Sequence, residues 1–301
     1  MLDRTRTAAG LALLATLGSA GCAAHTRAAR PADYAELLAT CQGKDGWRDP
    51  APPVRLDRHV FYVGTCGIAS ILVTSPQGHA LIDSAEEEAA PQILANIRRL
   101  GFDPRDIKWL LASHVHYDHT GGHAAMQAAT GAKLAALEDQ RRELEQGMPM
   151  ADDPQHGVIK GTQPVRVDRV LQDGVPLVIG ANQLTPVSTP GHTRGSTSWV
   201  IHGCGQPTCA KVVYADSASA VSADGYRFTD HPQWVAMFRA GVTRMGDLPC
   251  ALLVTPHPSA SALFERFAGK APLSDPAQCQ RYARSWLDRL DARLANERSG
   301  S

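Results

Sequence analysis

The sequence predicts an α/β fold built as a four-layer αββα sandwich, because strand-like and helix-like segments come in two mixed groups. Short runs rich in β-branched and aromatic residues lie within 60–112 and again within 175–255. Helical periodicity accompanies each group, most clearly at 86–100 and 277–296. No repeat of about 20 to 50 residues is visible, which argues against a solenoid. Two sheets covered by helices on both outer sides would bury every apolar face.

The first group opens as a β-meander. After a short helical segment at 32–40 and a proline-rich stretch, strand-like runs follow at 60–63, 69–74 and 79–82. Glycine or Pro-Gln-Gly turns separate them, as expected for consecutive antiparallel strands.

A helix, a buried strand and a longer mixed series come next. Apolar residues recur at helical spacing between 86 and 100, with Pro91 early enough to fall in the first turns. Residues 108–112 form an apolar strand that runs directly into a histidine-rich loop. The later segments are a helix-and-strand series at 124–134, 138–146, 175–179 and 184–188, strands at 198–201 and 211–214, a helix at 234–245, a buried strand at 251–255 and an amphipathic helix at 277–296.

The composition argues against a nucleic-acid partner. Among 301 residues, 30 Lys and Arg balance 30 Asp and Glu, and 44% are hydrophobic. No broad basic field is present to neutralise a phosphate backbone. The length suits a single globular domain, which we place at 31–301.

Residues 1–24 are typical of a secretory signal peptide. Two arginines precede an apolar run at 8–17, and small residues fill 18–24. The run is too short to span a bilayer, so we expect a periplasmic protein with no transmembrane segment. Cys22 suits a lipid anchor, but Ser19 stands where lipoprotein cleavage boxes usually have leucine. A tethered and a free mature form both stay open.

The cysteines indicate disulfides. Six remain after Cys22, and in an oxidising compartment they can form up to three bonds. The short spacing of Cys204 and Cys209 favours a local hairpin clasp, whereas the other pairings stay open. A zinc ribbon is disfavoured because the sequence has no CxxC pair.

The strongest chemical signal follows the strand at 108–112. Four metal-competent side chains lie within six positions: His114, His116, Asp118 and His119. Because His114 and His116 are two residues apart, an extended backbone points both to the same side, where they can bind one ion. Asp118 and His119 follow where two glycines permit a turn, and they can reach a neighbouring ion.

Zinc is the metal that these residue types favour. Imidazole nitrogens and a carboxylate oxygen suit zinc, and a catalytic zinc keeps one position open for water. Four residues cannot complete two such sites, so further ligands must come from distal segments. His192 in Pro-Gly-His-Thr and His257 in Thr-Pro-His-Pro each follow a strand-like run. The sequence therefore predicts two zinc ions per chain.

These motifs resemble the metallo-β-lactamase superfamily over about 41–279. They are HxHxDH at 114–119, PGHT at 190–193 and TPHP at 255–258. Lactonases, glyoxalase-II-like thioesterases and other hydrolases share the first motif. The segments that resemble subclass B3 in particular are 60–67, 214–217, 221–228 and 255–261.

The resemblance implies specific roles. One zinc would bind His114, His116 and His192, and the second would bind Asp118, His119 and His257. Ser217 stands where subclasses B1 and B2 have a cysteine ligand, and Ser217 and Ser219 would lie near the substrate carboxylate. Asp118 would also act catalytically by orienting a zinc-bound hydroxide that attacks the β-lactam amide bond. We therefore expect a monomeric zinc hydrolase that inactivates β-lactam antibiotics.

Several alternatives stay open. Asp216 either bridges both metals, as in lactonase-type relatives, or is a structural acceptor, and Asp83 is either a partner that supports the metal loop or a turn residue. The rival functions are a lactonase or thioesterase of the same fold and a secreted zinc-binding protein without turnover. A serine hydrolase is disfavoured because no GxSxG elbow is present. The remaining histidines are predicted to lie on the surface or in the core without metal: His25, His59, His79, His123, His156, His202 and His231.

Overall fold

The computed structural model describes Met1 and residues 33–203 and 211–299. The predicted signal peptide, Cys22 and the predicted Cys204–Cys209 clasp lie outside these residues. Across the described ranges, no helix combines the length and apolar character needed to cross a membrane.

The helices and strands follow the predicted order. The helices are α1 Tyr34–Cys41, α2 Ala90–Arg99, α3 Tyr117–Thr120, α4 His123–Thr130, α5 Glu138–Gln146, α6 Pro232–Gly246, α7 Leu263–Phe267 and α8 Gln278–Ser299. The strands are β1 Val54–Asp57, β2 Val60–Tyr62, β3 Ile71–Val73, β4 His79–Ile82, β5 Ile107–Leu111, β6 Lys133–Ala136, β7 Arg169–Val170, β8 Leu177–Ile179, β9 Asn182–Ser188, β10 Thr197–His202, β11 Lys211–Tyr214 and β12 Leu252–Val254.

These strands form two sheets. The first has the order β1-β2-β3-β4-β5-β6-β7, antiparallel up to β4 and parallel from β4 onward. The second has the order β12-β11-β10-β9-β8, in which only the β11–β12 pair is parallel. Because β10 is antiparallel to both β9 and β11, strands β9, β11 and β12 all end at the same edge of the second sheet.

The two sheets share an apolar core. Tyr62, Ile71 and Ile82 of the first sheet belong to one buried cluster with Trp199 and Tyr214 of the second. Successive strand residues point to opposite faces, so one face of each sheet packs against the other sheet in this inner layer. Both tyrosines and the tryptophan are fully buried.

Helices cover the outer faces. Phe61 and Leu72 point away from the inner core and pack with Ile93 of α2. On the other side, Val213 of β11 packs with Phe238 of α6, in a cluster that also includes residues of α8. Truncating a fully buried side chain such as Phe238 to alanine would cost about 3–5 kcal/mol. The layer order is therefore αββα, and the predicted fold class is confirmed.

Two disulfides join distant segments. Cys41 at the end of α1 is bonded to Cys66, and Cys250 before β12 is bonded to Cys279 in α8. The prediction of structural disulfides is confirmed for these two pairs.

The sequence patterns miss several short elements, including the four-residue helix α3, which lies where a turn was predicted. Strand β1 follows directly on the proline-rich stretch, β7 has two exposed residues, and α7 has five residues. The helix predicted from residue 86 begins as a 3-10 turn at Glu87–Ala89, and its α-helical part starts at Ala90 with Pro91 in the first turn. Proline suits that position because the first helical amides have no acceptor within the helix.

Candidate metal centre

All six predicted metal ligands lie beyond the ends of strands, at one edge of the sandwich. The loop with HxHxDH follows β5, the loop with His192 follows β9, and His257 follows β12. Asp83 follows β4 and Asp216 follows β11. The carboxyl ends of strands that run in the same direction meet at a common edge, which is where α/β folds place their ligand sites.

The first candidate group consists of His114, His116 and His192. Their potential ligand atoms lie within 4.8 Å of one another. The ring of His114 lies 4.6 Å from each of the other two rings, between centroids. His116 has extended backbone torsions, which agrees with the prediction that two histidines spaced by two residues face one ion.

Hydrogen bonds fix the tautomers of two of these histidines. Nδ1 of His114 donates to Oδ1 of Asp216 at 2.7 Å, and Nδ1 of His192 donates to the carbonyl of Ser219 at 2.9 Å. Each ring therefore has Nε2 left for a metal. Nε2 of His114 is buried and has no hydrogen-bond partner among the described residues.

Burial keeps the imidazoles of His114 and His192 neutral. Burial, followed by the neighbouring histidines, lowers the pKa of His114 well below its ordinary value. Burial also lowers the pKa of His192 to about 3. Neutral imidazole is the form that binds metal ions, so these two rings are ready to ligate.

The second candidate group consists of Asp118, His119 and His257. Oδ2 of Asp118 lies 3.0 Å from Nε2 of His119 and 3.3 Å from Nε2 of His257. Burial raises the pKa of Asp118, but the charges of both histidines and their hydrogen bonds outweigh it and hold the pKa well below its ordinary value. The group is adjacent to the first, since the rings of His114 and His119 are 4.3 Å apart. Asp118 and His119 lie in the short helix α3.

Asp83 supports the loop that carries these residues. Its Oδ1 accepts from the Ser113 amide at 2.7 Å, and its Oδ2 accepts from the hydroxyls of Ser113 and Tyr214 at 2.6 and 2.7 Å. Oδ2 also lies 3.6 Å from Nδ1 of His119. Asp83 has a φ of 59°, so it turns the chain as well as supporting the metal loop.

Asp216 lies behind His114 and outside both groups. Besides accepting from His114, its carbonyl accepts from the Tyr282 hydroxyl at 3.1 Å, and its amide donates to the Ser198 hydroxyl at 3.0 Å. Burial raises the pKa of Asp216 to about 7, and a cation bound at His114 would favour its ionised form. This geometry matches the structural-acceptor alternative.

Ser217 and Ser219 lie where a substrate could reach them. Both line a cavity of about 340 Å³ that includes His257. The Ser219 hydroxyl also lies 3.2 Å from Nδ1 of His192. A second cavity of about 450 Å³ adjoins His257 and includes Trp47. Substrate contact by the two serines stays a prediction.

The remaining described histidines lie outside both metal-competent groups. His123 is buried and its Nδ1 lies 2.6 Å from the Ser84 hydroxyl, while His79 accepts at Nδ1 from the Ser75 amide. His25 lies outside the described residues.

Sequence patterns miss one acidic residue near the first group. Asp153 is buried, and its Oδ2 lies 3.7 Å from Nε2 of His116. It lies in a polar loop after α5 that has no periodic pattern, so nothing local distinguishes it from neighbouring Asp152.

The side chains present fit zinc. Five imidazoles and one carboxylate are grouped as two sets of three, and sets of three nitrogen and oxygen ligands leave a coordination position open. Buried ring nitrogens without hydrogen-bond partners among the described residues, such as Nε2 of His114 and His116, would be costly unless an ion satisfied them.

Solved structures and a family model match the chain. The metallo-beta-lactamase superfamily model matches residues 63–205. The crystal structure of the metallo-beta-lactamase MIM-1 from Novosphingobium pentaromativorans is 51% identical, with a TM-score of 0.85 over 88% of this chain and 99% of that one. MEM-A1, a subclass B3 metallo-beta-lactamase isolated from a soil metagenome library, is 35% identical, with a TM-score of 0.80 over 85% of this chain and 100% of that one.

Curated relatives match a shorter part. A probable metallo-hydrolase of Burkholderia pseudomallei is 29% identical over 152 residues, 47% of this chain and 50% of the relative. The N-acyl homoserine lactonase AttM of Agrobacterium fabrum is 29% identical over 157 residues, 43% of this chain and 57% of the relative. The chain therefore spans about half the length of these two relatives. Because 51% of the matched residues are identical to MIM-1 over 99% of that chain, this protein belongs to the metallo-beta-lactamase superfamily and resembles its subclass B3 members.

Proposed function

We propose that this protein is a zinc-dependent β-lactamase of subclass B3. The observation that carries the proposal is the pair of adjacent three-residue groups with Ser217, rather than a cysteine, in the cavity beside the second group. The identity of 51% to MIM-1, over 88% of this chain, supports the same conclusion.

The described residues can provide most of what amide hydrolysis needs. Zinc bound at the two groups would supply Lewis acidity and a nucleophile at neutral pH, because it lowers the pKa of bound water to about 7. Oδ2 of Asp118 faces both histidines of its group, so Oδ1 is left to accept a proton from the attacking water. The hydroxyls of Ser217 and Ser219 can donate to the carboxylate of the substrate. Burial of the first group keeps bulk water away from its imidazoles.

A lactonase is the second candidate, and the match to AttM favours it. Such an activity would be compatible with the same ligands but would favour a bridging role for Asp216. In the structure, Asp216 belongs to neither candidate group of metal ligands and its Oδ1 accepts from Nδ1 of His114, which supports the β-lactamase instead.

We also propose that the protein is exported to the periplasm. The signal-like segment at 1–24 motivates this location. The bonds Cys41–Cys66 and Cys250–Cys279 support it, since disulfides persist in oxidising compartments. Mass spectrometry of the mature N-terminus would test it, and an unprocessed chain would contradict it.

The decisive experiment compares substrates with and without zinc. The purified protein is assayed with a carbapenem, a cephalosporin and an acyl-homoserine lactone, before and after treatment with a chelator and again after zinc is restored. We expect β-lactam hydrolysis that the chelator abolishes and zinc restores. His192→Ala should lose it, whereas His156→Ala, at an exposed site outside both groups, should not.

Other outcomes identify the rivals. Turnover of the lactone alone would refute the β-lactamase proposal and favour the lactonase. Two zinc ions bound without turnover of any of these compounds would favour a zinc-binding protein instead.

A further inference from the structure

One face of α8 forms a wall of the cavity that contains Ser217 and Ser219. Tyr282, Trp286 and Arg289 line this cavity together with the serines and His257. They are spaced by four and three residues, so they share one face of the helix. The hydroxyl of Tyr282 donates to the carbonyl of Asp216 at 3.1 Å, next to Ser217 in the chain. This hydrogen bond fixes the face against the loop that carries the serines.

Arg289 is the charged side chain of this wall. Its guanidinium carbon lies 4.4 Å from the centre of the Trp286 ring, and that ring makes an edge contact with Tyr282 at 6.2 Å. Arg289 forms no ion pair with any described residue, whereas Arg293, one turn later, pairs with Glu297 at 2.9 Å. The tryptophan therefore holds a guanidinium whose donors are not taken by a carboxylate.

Among the described residues, the rest of the cavity lining carries no full charge. Apart from Arg289 and His257, the lining side chains are those of serines, alanines, Tyr282 and Trp286. Hydroxyls can donate hydrogen bonds to an anion but carry no net charge, whereas a guanidinium also attracts the anion through its own positive charge. A guanidinium also matches the two oxygens of a carboxylate with two parallel donors.

We propose that Arg289 recognises the carboxylate of the substrate from the α8 side of the cavity, opposite the donors of Ser217 and Ser219. The proposal rests on the proposed function, since it assigns a specificity-determining residue to that site. It makes the enzyme selective for β-lactams with a free carboxylate over the same compounds with that group esterified.

The test combines a change in the protein with a change in the substrate. A cephalosporin and its methyl ester are compared for wild type, Arg289→Gln, Arg289→Lys and Arg284→Gln. Arg284 is a matched control because it is also an exposed arginine of α8 but does not line the cavity. Zinc content and circular dichroism establish that each variant is folded and loaded.

We expect Arg289→Gln to raise KM for the acid about three- to tenfold with kcat nearly unchanged, and to leave KM for the ester unchanged, because an exposed cation interacts modestly. Arg289→Lys should recover part of the loss, since it keeps the charge but not the planar fork. Raised salt should reduce the preference of wild type for the acid. Arg284→Gln should behave as wild type.

Equal KM changes for acid and ester, or no change for either, would overturn the proposal for Arg289 while leaving β-lactam hydrolysis intact. Wild type that hydrolyses neither compound would refute the proposed function instead. In that event the same comparison is made by calorimetric binding of both compounds to the protein. A preference for the acid that Arg289→Gln abolishes would still support the carboxylate site, and its absence would refute it.

Discussion

Replacing Asp216 by asparagine should weaken metal binding at the first group and leave the second nearly unchanged. Oδ1 of Asp216 accepts from Nδ1 of His114 at 2.7 Å, and both side chains are fully buried. This bond fixes the tautomer that leaves Nε2 for the metal, and a carboxylate makes the ring a better ligand than an amide does. Asparagine keeps the shape of the side chain but removes its charge.

The expected loss can be estimated from the kind of contact. Removing the partner of a metal-bound histidine typically lowers metal affinity about 10- to 100-fold. That range corresponds to about 1.4–2.7 kcal/mol, since about 1.4 kcal/mol is a factor of ten. It agrees with the net value of about 1.5–3 kcal/mol for a hydrogen bond to a charged group. Because the Asp216 side chain has an exposed fraction of 0%, solvent screening should not reduce it.

Competitive titration of zinc against a chromophoric chelator resolves the two affinities. Asp83→Asn is the matched variant, because Oδ2 of Asp83 lies 3.6 Å from Nδ1 of His119 in the second group. We expect Asp216→Asn to weaken the first site selectively, whereas Asp83→Asn should weaken the second site and, because it also loosens Ser113 beside His114, the first to a lesser extent. Equal weakening of both sites by Asp216→Asn would contradict this expectation and indicate that Asp216 is a bridging ligand. Unchanged affinities would show that its hydrogen bond does not orient the His114 ring for metal binding.

Three further predictions concern stability. Replacing Cys41 and Cys66 by serine should lower the free energy of unfolding in urea by about 3.5 kcal/mol, because the bond closes a loop with a sequence separation of 25. Burial raises the pKa of Glu143 well above its ordinary 4.5, so the contribution of Glu143 to the free energy of unfolding should fall as pH rises above about 4.5. The melting temperature of Glu143→Gln should therefore exceed that of wild type by a margin that grows between about pH 5 and 8. Gly241→Ala would bring a Cβ to 1.9 Å from the Pro190 carbonyl, so it should lower Tm by several degrees and weaken zinc binding at the first group in the same titration. Unchanged values in any of these measurements would contradict the corresponding contact.

The predictable part of the fold is the part with apolar runs or periodic apolar residues. Strands β3 and β4 were predictable as short apolar runs bounded by turns, and helix α2 because its buried positions recur at helix spacing. Strand β1 was not, because its four alternating residues directly follow two prolines and are too few to stand out from the proline-rich stretch. Residues 54–57 become a strand because they pair with β2, and a local sequence pattern does not reveal that pairing.

The site divides in a similar way. The four residues of HxHxDH lie close together in the sequence and could be recognised as metal ligands directly. His192 and His257 could be identified as ligands only from the turn motifs around them. Asp153 approaches His116 from another loop, with no motif of its own. Spacing along the chain also could not decide between a bridging and a supporting Asp216, because that choice depends on which side of the loop faces His114.

The two metal groups differ in exposure, and the difference indicates where substrate specificity arises. The side chains of His114 and His119 are 0% and 1% exposed, whereas that of His257 is 35% exposed. The two cavities beside the centre both include His257, one with Trp47 and the other with Arg289. A substrate therefore reaches the second group first, between the loop that joins α1 to β1 and helix α8. Trp47 and Arg289 on these two segments belong to neither group of metal-competent residues, so substrate preference can diverge there while the metal centre stays the same.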